Sequence, residues 1–174
     1  MALRQHSQEA VCQCGKTTIA LSGGPILSTT CYCESCRTAG KQFERDLNAP
    51  QTVNADGGVD YLLYRKDRVK IAQGAQYLRE YRLKPETPTR RVVASCCNSP
   101  MFVDFTPGHW LTIFRRRLPA QAPKSQMRVM TRDKPDGVEL SGDIPAYDTM
   151  PPFFMIKLVL SWAAMGFRRP KITW

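Results

Sequence analysis

The chain has 174 residues, 43% of them apolar, and a formal net charge of +10. This length and apolar share allow one ordinary domain with a core and exclude a disordered chain, while 13 prolines and 11 glycines exclude an architecture of long helices. The positive balance favours anionic partners (phosphates, acidic lipids, acidic small molecules) or serves solubility alone, and it does not bear on the fold.

In chain order, the first nine residues lack an apolar run of signal-peptide length, so a cytoplasmic location is expected. Ala10 to Leu21 then reads as strand, with Val11, Thr17, Ile19 and Leu21 near period two. Gly23-Gly24-Pro25 makes a turn, and Ile26 to Thr30 reads as a second strand running into Cys31. Glu34 to Leu47 is polar and predicts a short helix, with Ser35 as its start. Residues 48–58 read as loop. Four further strands are predicted at Val59–Tyr64, Gln76–Leu83, Arg90–Ser95 and His109–Arg115. Short strands at this spacing point to a mainly β, small antiparallel fold.

After Leu118 the texture changes. Residues 1–118 are expected to form one domain and 119–174 a C-terminal extension. Pro119 to Pro123 reads as linker, and Lys124 to Thr149 as polar and turn-rich. Phe153 to Phe167 is the most apolar stretch, and Pro151 and Pro152 before it suit a helix start. At about 15 residues, with Lys157 inside, it is short for a membrane span of about 20. A helix packed on the domain is expected. Peripheral membrane contact through 153–171, with Arg168, Arg169 and Lys171 at lipid headgroups, is a second reading, and a dimer contact a third.

All seven cysteines fall in tight groups: Cys12-Gln-Cys14-Gly15, Cys31-Tyr-Cys33-Glu-Ser-Cys36-Arg37, and Cys96-Cys97. Disulfides are rare in the cytoplasm, and an odd count leaves one thiol over. Zinc explains the grouping, because it takes about four ligands and thiolates close in sequence converge on one ion at little cost in chain closure. Two zinc ions per chain are the natural count. Cys12 and Cys14 need partners, and Cys96 with Cys97 is the obvious source. Adjacent cysteines in a strand point to opposite faces, so both bind one ion only if the chain turns, which Asn98-Ser99-Pro100 favours. Cys31, Cys33 and Cys36 form a three-ligand set, the signature of a catalytic or ligand-exchanging zinc. The competing readings are purely structural zinc, a redox pair and an iron–sulfur cluster; the last two lack their usual contexts. His6 and His109 read as exposed or packed side chains rather than ligands.

The three motifs resemble those of the glutathione-dependent formaldehyde-activating enzyme family, which includes the centromere protein V domain. That family reads Cys-x-Cys-Gly, Cys-x-Cys-x-x-Cys-Arg and Cys-x-x-Cys-Gly-Ser-Pro. The likeness covers about residues 10 to 115. Ala94 and Asn98 depart from the third motif, and Cys96 stands where it can replace the lost ligand; this places the chain nearer a bacterial side branch than the named enzyme. The resemblance implies an Mss4-like β fold, a structural zinc on Cys12, Cys14 and Cys97, and a second zinc on Cys31, Cys33 and Cys36 linked to a thiol substrate.

The function expected from that resemblance is zinc-dependent carbon–sulfur bond chemistry, of carbon–sulfur lyase type, on a thiol such as glutathione. Cys31, Cys33 and Cys36 would form the catalytic centre, and Arg37 would hold a substrate carboxylate. The alternative is a non-catalytic, zinc-stabilised module binding a nucleic acid, a membrane surface or a protein. Arg115-Arg116-Arg117 beside Trp110 and Phe114 is the stretch that would meet phosphates and bases, although no nucleic-acid motif accompanies it.

Overall fold

The structure is a computed structural model describing residues 7–174; His6 lies outside them. Strands β1 (Ser7–Val11) and β2 (Thr18–Ser22) form a hairpin, and β5 (Val69–Gln73) completes a three-stranded antiparallel sheet in the order β1-β2-β5. The single strand expected over residues 10–21 is thus two, divided by the Cys12–Lys16 turn, where Gly15 adopts φ +77°.

The larger sheet is built from β3 (Leu27–Cys31), β4 (Val59–Arg65), β6 (Leu78–Tyr81), β7 (Thr89–Ala94), β8 (Ser99–Phe105), β9 (Trp110–Phe114), β10 (Arg128–Val129) and β11 (Ala146–Tyr147). Its spatial order is β11-β10-β3-β4-β9-β8-β7-β6. The pairings are antiparallel except at one edge, where β10 runs parallel to both β3 and β11. The polar stretch after residue 124 therefore adds two short strands to the sheet rather than remaining loop.

Strand β4 explains why the sheet is covered on both faces. Its side chains alternate, as strand geometry requires. Leu62 and Tyr64 enter a core shared with Ile19, Leu21, Phe102 and Leu111. Val59, Tyr61 and Leu63 enter a second core with Leu27, Phe114, Val129, Phe154 and Leu158.

Helix α1 (Glu34–Asp46) starts one residue before the expected Ser35, with Cys33 as its N-cap residue. It buries Ala39, Gly40 and Phe43, and Ala39 and Phe43 pack with Val93. The Glu44 carboxylate accepts hydrogen bonds from the backbone N–H of Thr52 and Val53, tying the following loop to the helix.

Helix α2 (Pro152–Ala163) packs on the second core through Phe154 and Leu158. It ends four residues short of Phe167 because Gly166 and Phe167 take left-handed backbone angles that close the helix end. Beyond it, Ile172 and Trp174 return to the first core, and the Arg90 guanidinium lies 4.5 Å above the Trp174 ring. Residues after Leu118 thus pack into both cores. No helix of the described residues is long and apolar enough to cross a membrane.

Candidate metal centres and their cavity

The turn between β1 and β2 meets the turn between β7 and β8. Cys12, Cys14, Cys96 and Cys97 gather there, with all four sulfurs within 4.8 Å of one another. The chain does turn at the Cys96-Cys97 pair: Cys97 N–H bonds to the Ala94 carbonyl at 3.2 Å, and Asn98 takes φ +55°. Sulfur separations are 3.6 Å for Cys12–Cys14, 3.7 Å for Cys12–Cys96, 3.4 Å for Cys14–Cys96 and 4.0 Å for Cys96–Cys97. Tetrahedral bonds of about 2.3 Å from zinc set sulfurs roughly 3.8 Å apart, so this donor set fits a four-thiolate ion. Thr17 N–H donates to the Cys12 sulfur at 3.2 Å, as outer-shell donors do in metal sites.

Charge is managed at this cluster by its neighbours. Burial pushes Cys96 up to about 12, aided by its hydrogen bond with Cys14. Burial also pushes at Cys97, but hydrogen bonds with Ser99 and Cys14 outweigh it and bring that thiol to about 6. Arg117, itself lowered by burial, lies close enough to feel Cys97 and Cys12, and donates to Ser99 Oγ at 3.1 Å.

The second cluster lies where β3 ends and α1 begins. The Cys31, Cys33 and Cys36 sulfurs lie within 4.8 Å of one another. Cys36 and Arg37 donate their backbone N–H groups to the Cys33 carbonyl, so the first helical turn folds the motif onto itself. Hydrogen bonds from Cys31 and then Cys36 pull Cys33 down to about 2. Cys31 is raised by its bond to Cys33. For Cys36 the bond with Cys31 lowers, but the bond with Cys33 and burial prevail and leave it at about 11. One thiolate shared by two thiols is the state a divalent cation would replace, taking all three as thiolates. The donors fit a three-thiolate ion at the positive end of a helix. Behind them the buried Arg91 donates to the Ser35 carbonyl at 3.2 Å.

This triad opens on a cavity of about 180 Å³. Tyr61 and Leu63 of β4, Trp110 of β9, Val103 of β8, and Met150 and Phe154 from the extension supply its walls. Burial pushes the Tyr61 hydroxyl well above its usual range, and Cys36 beside it pushes the same way. Sequence reasoning missed these walls. They come from four elements and share no motif; only the apolar alternation of β4 marked Tyr61 as buried.

The other predicted residues take different places. Arg37 does not line the cavity; it donates to the Asp133 carbonyl and so ties α1 to the extension. His109 is buried and contacts Ser161 Oγ at 2.9 Å. The arginine run is engaged within the fold: Arg115 donates to the carbonyls of Ala120, Ala122 and Pro123, and Arg116 to Asn54. Phe114 is buried against Tyr61, and Trp110 faces the cavity.

A family model described as glutathione-dependent formaldehyde-activating enzyme matches residues 7–116. No curated protein matches the chain. Among solved structures, the chain is similar to that of a Rhodobacter sphaeroides protein, at 15% identity and a TM-score of 0.49, covering 79% of this chain and 98% of that one.

Proposed function

Because the chain belongs to the glutathione-dependent formaldehyde-activating enzyme family, we propose that it carries out zinc-dependent carbon–sulfur bond chemistry on a thiol substrate. Two zinc ions per chain serve different ends. Cys12, Cys14, Cys96 and Cys97 hold one as a structural staple. Cys31, Cys33 and Cys36 hold the other where the thiol is activated. The observation that carries this reading is the convergence of three sulfurs, rather than four, at the wall of a cavity.

Bound zinc would supply a lowered thiol pKa, giving a thiolate near neutral pH. The chain's own residues do the rest. The apolar walls around Tyr61, Trp110 and Phe154 exclude water from the thiolate. That sulfur attacks the carbonyl carbon of formaldehyde, a carbon–sulfur bond forms, and the carbonyl electron pair moves to oxygen. The oxygen takes up the proton the thiol gave, yielding an S-hydroxymethyl thioether; the reverse step releases the aldehyde. Tyr61, in the cavity wall beside Cys36, supplies a hydroxyl donor for that oxygen.

In this reading residues 1–118 are the metal-binding domain, and 119–174 form an extension that walls the cavity through Met150 and Phe154. None of the seven cysteines is joined in a disulfide, which leaves all of them available to metal. A non-catalytic, zinc-stabilised binding module is the competing class, and thiol binding separates the two. Cys33→Ser is expected to keep the fold, lose about one zinc per chain and abolish binding of a thiol ligand. Thiol binding retained in that variant would end the proposal.

A further inference from the structure

We infer, resting on the thiol reading above, that the substrate is a short apolar thiol rather than a charged tripeptide such as glutathione. Ligand pockets for larger molecules run to roughly 300–1,000 Å³; this one measures about 180 Å³. Among the described residues, no Asp, Glu, Lys, Arg or His lines it. Its polar side-chain groups are two threonine hydroxyls, the Tyr61 hydroxyl, the Trp110 indole N–H and the sulfurs themselves, all uncharged save the sulfurs. Glutathione carries two carboxylates and an ammonium, and a charge entering such walls loses its water without gaining a partner. Arg37, next to Cys36 in sequence, donates to the Asp133 carbonyl, and Arg91 donates to the Ser35 carbonyl, so neither faces the cavity. An alkyl chain, by contrast, meets Leu63, Val103 and Trp110.

The test is calorimetric titration of the zinc-loaded full chain with ethanethiol, propanethiol, butanethiol and glutathione. Affinity is expected to rise about fourfold per methylene along the alkyl series, and butanethiol to exceed glutathione at least about tenfold. Thr112→Lys, which sets a cation in the half-buried cavity wall, is expected to weaken butanethiol and narrow its lead over glutathione. Glutathione binding as tightly as butanethiol, or a flat alkyl series, overturns this inference and leaves the thiol reading standing. Failure of every thiol to bind sinks the thiol reading and this inference with it.

A separate observation concerns α2. Of eight large apolar side chains exposed among the described residues, seven lie between Met150 and Phe167. Ile156 and Leu160 stand 57% and 63% exposed, on the side of α2 opposite Phe154 and Leu158. Residues 150–174 contain Lys157, Arg168, Arg169 and Lys171 and no acidic residue. None of these four pairs with a carboxylate among the described residues; Arg169 lies instead 4.5 Å over the Trp162 ring. We propose that this face docks α2 in the plane of an anionic lipid bilayer. A helix of 12 residues cannot span a bilayer, but an apolar face with a cationic border suits its interface. A second copy is the poorer occupant, because a two-fold contact would set this cationic border against itself.

Flotation of the zinc-loaded full chain with vesicles of phosphatidylcholine containing about 30% phosphatidylglycerol tests this. The protein is expected to float with them, to stay behind with pure phosphatidylcholine, and to lose binding in the Ile156→Ser/Leu160→Ser double variant, whose changes lie on exposed positions. No flotation with the anionic vesicles overturns the proposal, as does a concentration-dependent dimer in solution that the double variant abolishes.

Discussion

Cys12 and Cys96 lie 84 positions apart and hold their sulfurs 3.7 Å from each other. That approach fixes the β1–β2 turn against the β7–β8 turn, so one ion there would join the small sheet to the large one. Such a link constrains the unfolded chain over a long loop and contributes directly to folding free energy. Cys96→Ser is therefore expected to lose about one zinc per chain and about 4 kcal/mol of stability, lowering Tm by roughly 8–16 °C. Calorimetry with metal analysis checks both; an unchanged Tm would show that the staple carries no stability.

The turn that presents Cys12 and Cys14 leans on Gly74, whose φ is +75°. A methyl there would fall against the Lys16 carbonyl oxygen and 2.8 Å from Thr17 Cα, both backbone atoms that cannot swing away. Gly74→Ala is expected to cost about 2 kcal/mol or more and to weaken zinc retention at the first cluster under a competing chelator. Ordinary retention and stability in this variant would mean that the turn shifts freely.

Lys66 and Asp104 form a buried ion pair at 2.8 Å, with side chains 2% and 1% exposed, and Arg90 holds the other carboxylate oxygen at 2.8 Å. Asp104→Asn leaves the Lys66 ammonium buried without its counter-charge and is expected to cost about 3–5 kcal/mol in urea unfolding. Lys66→Met combined with Asp104→Leu removes both charges and is expected to recover most of that loss. If the double variant is no better than the single one, packing rather than the pair sets the cost.

His109 links the core to α2 through Ser161 and by stacking on Trp162, with centroids 5.7 Å apart. Burial holds its pKa below the ordinary 6.5, with Arg169, Lys66 and Arg65 pushing the same way against a backbone hydrogen bond. A depressed histidine binds its proton more weakly folded than unfolded. Its contribution is present above the unfolded pKa and is lost as pH falls through the folded one. Protection of the α2 amides, after correction for the intrinsic pH dependence of exchange, is expected to fall on going from about pH 7.5 to 5.5, and His109→Gln to flatten that dependence. Protection that falls equally with pH in the variant would assign the effect to another group.

The cysteine constellation was legible because its members sit close together in sequence, and each group maps onto one turn or helix start. Strand β4 and helix α1 were legible from local pattern. Strand β8 was not, since Pro100 sits inside it; the strand accommodates Pro100 opposite Val93, where the register shifts. Strands β10 and β11 have two residues each and exist only because Arg128 and Val129 find β3. Arg128 also collects Ser141, Ile144 and Asp143 around its guanidinium. The cavity walls were illegible for the same reason, as Tyr61, Trp110 and Phe154 meet only through tertiary packing.

Two gathered sets of thiolates are expected to bind metal and to shape the molecule. Elemental analysis of the purified, reduced protein before and after dialysis against a strong chelator tests it most directly. Two zinc ions per chain are expected before, with loss of cooperative folding as the four-sulfur ion is withdrawn. Protein that is free of metal as purified, yet equally folded with the chelator present, would contradict it.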